Sequence, residues 1–339
     1  MEYMALGHSG IKVSRICLGG MTFGKASPDF HQWTIGPDET QAVIKRAFEL
    51  GINFIDTANG YSFGTSEEYI GRALKNLGIR REDAVIASKV FFNEGRLSRK
   101  AILREIDGTL KRLGTDYLDL YIIHRFDYGT PIEETMEALD SLVGAGKVRA
   151  LGASEMYAYQ LHNMQVAAEN NGWTKFTSMQ CHYNLLYREN EREMIPVCRQ
   201  FDMAVTPYSP LASGHLCRPT WESDSLRSAT DAVARSKYDA DRERDMPIVE
   251  RVAEVAGSHG MPMASIALAW LWKRGIEAPL VGCSKPSRVD DAVAALDVEL
   301  SDDETDYLEA PYVAHELVGP IGRPGEKPLA GTIDPNEKK

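Results

Sequence analysis

Asn53-Phe54-Ile55-Asp56-Thr57-Ala58-Asn59-Gly60-Tyr61 is the stretch from which the rest of the chain is read. A short apolar run ends in an acid, and an Asn-Gly turn and a tyrosine follow. From Ser66 the spacing of apolar residues becomes helical, over 66–77. The stretch is therefore a strand handing over to a helix. Its polar residues have two readings here. The acid and the phenol are presented for proton transfer, or the aspartate caps its own loop beside a packed tyrosine.

The same handover recurs. Residues 1–15 alternate loosely and turn at 7–10, as a small β-hairpin does, and 15–20 reads as a buried strand ending in glycines. An irregular loop over 21–36 holds Phe23, Pro28 and Trp33, and Asp38 is a good N-cap for a helix over 39–50 stopped by Gly51. Strand and helix then alternate at 84–89 and 98–113, 118–124 and 131–145, 148–152 and 156–168, and 177–180 and 189–200. A strand at 203–206 meets Pro207. A last strand at 278–282 lies between helices at 262–274 and 286–296. Short apolar strands separated by helices imply βαβ units and a parallel sheet. Eight such units in roughly 280 residues predict an α/β protein of the (β/α)8 TIM-barrel type, one domain over 1–339 with an N-terminal hairpin cap. A doubly wound sheet would place a G-x-G-x-x-G turn after its first strand, and none is present. Two segments fall outside the repeat. Residues 208–246, rich in Ser, Asp and Arg, read as a functional loop or lid. The tail, 312–339, with Pro320, Pro324 and Pro328, reads as an extended C-terminal loop.

Composition narrows the partners. With 49 acidic and 38 basic residues the net charge of −11 disfavours nucleic acid and anionic membranes. Cys17, Cys181, Cys198, Cys217 and Cys283 are scattered and never spaced C-x-x-C, which favours free thiols in a reducing compartment. No apolar run approaches the ~18 residues of a membrane span, and 1–16 holds no leader-like apolar core. A cytoplasmic protein, monomeric or weakly self-associating, is expected.

In a barrel, chemistry gathers at the carboxyl ends of the strands. There Asp56, Lys89 and His124 each interrupt an apolar strand, on three successive strands, with Tyr61 just past Asp56. A solvated lysine or a core histidine is ordinary taken singly. An acid, a phenol, an ammonium and an imidazole at one barrel mouth are not explained by packing.

This combination resembles the aldo-keto reductases, whose tetrad is Asp, Tyr, Lys and His in this order and on these strands. The likeness runs from the hairpin to the 286–296 helix. It includes Gly152-Ala153-Ser154, Met179-Gln180, Tyr183-Asn184-Leu185, Tyr208-Ser209-Pro210-Leu211 and Gly282-Cys283-Ser284-Lys285. His124-Arg125-Phe126-Asp127 and Tyr187-Arg188-Glu189-Asn190-Glu191-Arg192-Glu193 add a likeness to the bacterial subgroup related to aryl-alcohol dehydrogenases. The resemblance implies NADP(H)-dependent carbonyl reduction. A free phenol, with a pKa near ~10, exchanges its proton poorly at neutral pH. Lys89 is expected to lower the Tyr61 pKa, Asp56 to hold Lys89 charged, and His124 to donate to the substrate oxygen as charge develops.

The resemblance also implies cofactor contacts. Ser154 and Gln180 would bond the carboxamide and Tyr208 would stack on the nicotinamide. Ser209, Leu211, Ser213 and Gly214 would line the pyrophosphate, with Arg218 either reaching it or pairing with an acid of the same loop. Ser284, Lys285 and Arg288 would seat the adenosine 2'-phosphate, favouring NADP(H) over NAD(H), and Asp291 would accept from the adenine amino group. Glu155 departs from the Asn frequent at its position, and Ala292 stands where many members carry Asn. Met21, Phe23, Trp33, Phe91, Phe92, Arg125 and Phe126 are expected to line an apolar substrate pocket, closed by the tail near His315. Arg125 would meet an anionic substrate group or pair with Asp127. The main alternative is a non-catalytic NADP(H)-binding redox sensor. A lyase with a Lys89 Schiff base would leave the Ser284-Lys285-Arg288 cluster unexplained. A metal hydrolase is rejected because no H-E-x-x-H is present, and no metal is expected.

Overall fold

The computed structural model describes residues 1–317. Tyr3–Ala5 (β1) and Lys12–Ser14 (β2) pair antiparallel around a 3-10 turn at Gly7–Ser9, which is the expected hairpin. Eight further strands form one parallel sheet: Cys17–Gly19 (β3), Phe54–Asp56 (β4), Val85–Val90 (β5), Leu118–Ile123 (β6), Val148–Ser154 (β7), Phe176–Gln180 (β8), Ala204–Val205 (β9) and Leu280–Val281 (β10). Their order is β10-β3-β4-β5-β6-β7-β8-β9. The sheet curls until its edges meet, Leu280 N donating to the carbonyl of Pro207 just past β9 at 2.9 Å, as a (β/α)8 barrel requires.

Twelve α-helices are described: Pro37–Glu49 (α1), Thr65–Asn76 (α2), Arg99–Leu113 (α3), Ile132–Gly144 (α4), Ala158–Asn171 (α5), Met194–Gln200 (α6), Leu226–Thr230 (α7), Ala232–Tyr238 (α8), Arg242–His259 (α9), Met263–Lys273 (α10), Pro286–Ala294 (α11) and Asp302–Glu309 (α12). Their ends follow local chemistry. Ser98 caps α3 by accepting from Ala101 N, and Gly114 ends it in the left-handed conformation (φ 68°) that a residue with a Cβ adopts only under strain.

Strand alternation builds two apolar layers. Phe54, Val85, Ala87, Leu120 and Ile122 share one cluster with Leu6 and Val13 of the hairpin and no helix residue. That cluster is the inside of the curl, with the hairpin at its amino end. Ile55, Ile86, Val90, Tyr121 and Ile123 belong to the other cluster, packed against the helices. Because successive side chains alternate, Asp56, Lys89 and His124 continue the inward rows of Phe54, Ala87 and Ile122.

Four sequence expectations need correction. Helix α1 begins at Pro37, with Gly36 as N-cap and Asp38 inside the first turn, because proline fits a first helical position. The helix expected over 189–200 is a 3-10 turn at Glu189–Glu191 followed by the shorter α6. The segment 208–246 is not structureless: it holds a 3-10 stretch, Ala212–Cys217, then α7, α8 and the start of α9. Helices α9 and α12 were not anticipated, α9 because a polar, charge-dense start and Pro247 mask its periodicity. The tail beyond residue 317, with its three prolines, lies outside the described residues. Among the described residues no helix is long and apolar enough to cross a membrane.

Candidate active site

Register decides what meets at the carboxyl end of the sheet. Asp56 lies opposite Ala87 on β5, so Lys89 projects inward two residues further on. Lys89 lies opposite Ile122 on β6, so His124 is again two residues further. The three inward side chains thus step along three neighbouring strands. Tyr61 reaches the same place from the loop after β4, on a 3-10 turn at Tyr61–Gly64.

Lys89 is the hub. Its ammonium is fully buried and donates to Asp56 Oδ1, to the Thr57 carbonyl (2.8 Å) and to the Tyr61 hydroxyl (3.2 Å). All three donors are used. Asp56 Oδ2 accepts from Gln180 Nε2 at 3.0 Å, and Ser154 Oγ donates to the Gln180 carbonyl at 2.8 Å. Burial penalises the Lys89 charge, but Asp56 and Tyr61 outweigh it and hold the ammonium charged, its pKa above the ordinary value. Burial pushes the Asp56 carboxyl up, while Lys89 and Gln180 pull it back. For Tyr61 burial is again the largest influence, and it outweighs Lys89, so the phenol lies above its ordinary pKa. Lys89 acts in the expected direction, and burial, which the sequence reading leaves out, sets the net shift.

His124 stands edge-on to Tyr61 (5.6 Å between ring centres) and to Phe92 (4.9 Å). Burial, then Lys89 and Arg125, push its pKa well below the ordinary imidazole value, so it is neutral at neutral pH. Its Nδ1 has no hydrogen-bond partner. The Arg125 guanidinium lies over the Phe92 ring at 4.7 Å. Asp127 is engaged with the backbone N–H groups of Leu97 and Gly129 and with the Thr130 hydroxyl.

The expected cofactor residues divide. Ser154, Gln180 and Tyr208 gather beside the tetrad, but Gln180 and Ser154 are turned to protein partners. The Tyr208 hydroxyl accepts from Lys237 Nζ at 3.2 Å, and that ammonium stands 4.2 Å from the ring centre. His182 stacks on the same ring at 5.2 Å. Lys237, buried on α8 with its pKa lowered to about 8 by burial, was not foreseen: one lysine in a polar run gives no signal. Glu155 sits near it in a left-handed backbone (φ 47°), 6% exposed. Burial raises its pKa, Lys237 and the Tyr208 hydroxyl lower it, yet neither carboxylate oxygen makes a hydrogen bond of good geometry.

Along 209–214, Ser209, Ala212, Ser213 and Gly214 all have positive φ, coiling the loop tightly. Arg218 donates to the carbonyls of Gly214 (2.7 Å), Trp221 (2.9 Å) and Glu222 (3.2 Å). These acceptors are backbone carbonyls of its own loop and not the side chain of an acid. Ser284, Lys285 and Arg288 are exposed at the start of α11, where Arg288 pairs with Asp291 at 3.2 Å. Burial raises the Cys217 thiol pKa, while Arg288, Arg218 and Arg227 pull it back.

The expected pocket lining divides as well. Phe92, Arg125 and Phe126 border His124, whereas Phe23 has no exposed surface and packs in the helix-side core. Phe23 therefore supports the wall and does not face a ligand. Trp33 is covered by the Arg227 guanidinium of α7 at 4.3 Å, which ties the 208–246 segment across to the loop after β3. His315 is held between Asp241 (3.1 Å) and Asp245 (3.0 Å), so the tail is fastened to the start of α9.

Comparison with known proteins agrees with this geometry. The sequence profile of the Aldo/keto reductase family matches residues 15–312. The chain is 41% identical to a versiconal hemiacetal acetate reductase of Aspergillus parasiticus, over 96% of this chain and 100% of that one. It is 40% identical to a putative aryl-alcohol dehydrogenase of Schizosaccharomyces pombe (94% and 98% covered) and 38% identical to another of Saccharomyces cerevisiae (92% and 97% covered). These relatives are fungal. Matched over nearly its whole described length, the chain belongs to the aldo/keto reductase family.

Proposed function

We propose that this chain reduces aldehydes or ketones to alcohols with NADPH, Tyr61 giving the proton and His124 steadying the carbonyl oxygen. The observation that carries this reading is the Lys89 ammonium bonded at once to Asp56 and to the Tyr61 hydroxyl. The names of the relatives support carbonyl chemistry. Preference for NADPH, an aromatic or small carbonyl substrate, cytoplasmic location, one domain over 1–339 and a monomer or weak oligomer belong to the same proposal. So does a place in the bacterial branch, which rests on the 124–127 and 187–193 stretches alone.

The residues fit a phosphorylated dinucleotide. Lys285 and Arg288 stand exposed together at the head of α11 on a chain of net charge −11, and adjacent cations on so acidic a chain suit an anion. Lys285 and Arg288 at the head of α11 would hold the 2'-phosphate, and the coiled 209–214 loop the pyrophosphate. Ser154 and Gln180 keep acceptor capacity for the carboxamide, and Tyr208 offers its ring once Lys237 moves off it. The bound cofactor supplies the hydride.

The chain's own residues do the rest. Tyr61, above its ordinary pKa, holds its proton at neutral pH, as a general acid in the reductive direction must. Lys89 favours the tyrosinate left behind, and Asp56, locked by Gln180, keeps Lys89 charged and aimed. Neutral His124 has one N–H to donate to the oxygen as it gains charge. The test is NADPH consumption with a panel of aldehydes, wild type beside Tyr61→Phe. The variant should bind NADPH normally and lose at least ~10² in kcat. Near-normal turnover would overturn the assignment.

A further inference from the structure

Just past Tyr61 the backbone takes a strained shape that buries Ser62 against Gly24. Ser62 (φ 46°) and Phe63 (φ 55°) both occupy the left-handed region, and Gly64 (φ 89°) follows. Two consecutive non-glycine residues held there are strained. The strain does not bury Phe63. Its ring is 60% exposed, the largest value among the exposed large hydrophobics of the described residues, while Ser62 is 1% exposed. The burial of Ser62 does not require an aromatic ring at the next position, and exposed apolar area counts against folding, so the open Phe63 ring needs another reason.

The surroundings of the ring supply one. Phe63 meets Phe30 edge-on at 5.9 Å, Phe30 lies 4.2 Å from His31, and His31 lies 4.6 Å from Trp33. Arg227 closes the row over Trp33. The loops carrying these rings leave the carboxyl ends of β3 and β4, the end of the sheet where Tyr61 meets Lys89. An aromatic row thus begins two residues from Tyr61, with its first ring held open.

We propose that Phe63 is a substrate-specificity residue that receives the flat aromatic part of a carbonyl substrate whose oxygen faces Tyr61. The proposal rests on the carbonyl-reductase reading and names the substrate class as aryl aldehydes. The strained turn sets the ring in place before the substrate arrives, so little ordering is needed on binding.

The test compares wild type with Phe63→Ala, Phe63→Tyr and Phe63→Gly. The ratio of kcat/KM for benzaldehyde to that for propanal should fall about threefold to tenfold in Phe63→Ala, the range a ring–ring contact is worth. KM for benzaldehyde should rise, and Phe63→Tyr should restore the ratio. Phe63→Gly should lose the same discrimination without lowering Tm, because glycine relieves the strained φ; a packing residue would lower it. Calorimetric binding of benzamide, which carries the ring but resists reduction, gives a readout without turnover. Its Kd should rise about threefold or more in Phe63→Ala. An unchanged ratio, or unchanged benzamide binding, would overturn the proposal. A wild type that reduces neither aldehyde yet binds benzamide through Phe63 would instead overturn the reductase reading alone.

Discussion

The Lys89 ammonium donates to the Tyr61 hydroxyl at 3.2 Å while the same nitrogen is bonded to Asp56. One buried cation therefore links an acid on β4 to a phenol in the loop that follows it. Two effects compete at the phenol. Burial raises its pKa and Lys89 lowers it, and burial prevails. The balance suits a group that enters the reductive step protonated and is relieved, by Lys89, of part of the cost of giving the proton up.

Breaking the Lys89–Asp56 pair should be costlier than removing it whole. Lys89 is 0% exposed and Asp56 1%, so Lys89→Met leaves an unpaired buried carboxylate. The expected loss is about 3–5 kcal/mol. Asp56→Asn should cost a similar amount, and the double variant clearly less than the sum, since no charge then stays buried alone. All three should lose carbonyl reduction. Urea denaturation of the set checks this, and strictly additive losses would show that the two groups are not energetically coupled.

Much of this was legible in the chain because strand alternation is a strong signal. Phe54 and Asp56, Ala87 and Lys89, and Ile122 and His124 are each two apart, so the polar member shares the face of its apolar predecessor. What stayed hidden depends on long-range contacts. Gln180 is 124 residues from Asp56 and donates to its free oxygen, and no local pattern announces that partner. Lys237 and the helices of 226–241 were masked by a polar run whose segments are stabilised by contacts such as Arg227 on Trp33, not by an apolar stripe of their own. The pull of Lys89 on Tyr61 is legible because charge proximity follows from sequence order on strands, whereas the burial that outweighs it is not.

Cofactor preference should follow the head of α11. Lys285 is exposed there with Arg288, whose partner Asp291 competes for it. A charge-assisted contact to phosphate is worth about 1.5–3 kcal/mol. Lys285→Ala should therefore weaken NADPH binding roughly tenfold to a hundredfold and leave NADH nearly unaffected. Titration of cofactor fluorescence with both nucleotides checks the difference. Equal losses for the two would move the 2'-phosphate away from Lys285.

Two histidines should give opposite pH dependences of stability. Burial, then Arg218, lowers the His215 pKa to about 4. A depressed pKa means that the unfolded chain binds the proton first as pH falls. The stability His215 allows is thus present above about 6.5 and lost as pH drops toward about 4. His215→Phe, which keeps a ring against Trp221 (4.0 Å away), should raise Tm relative to wild type at pH 5 and change it little at pH 8. His315 behaves in reverse. Burial opposes its charge, but Asp245 and Asp241 prevail and raise its pKa. Its contribution is complete below about 6.5 and is lost as pH rises through the raised value. His315→Gln should therefore lower Tm more at pH 6 than at pH 9. Thermal melts of both variants across that range check the signs, and a His315→Gln loss that grows with pH would contradict the ion pair that fastens the tail to α9.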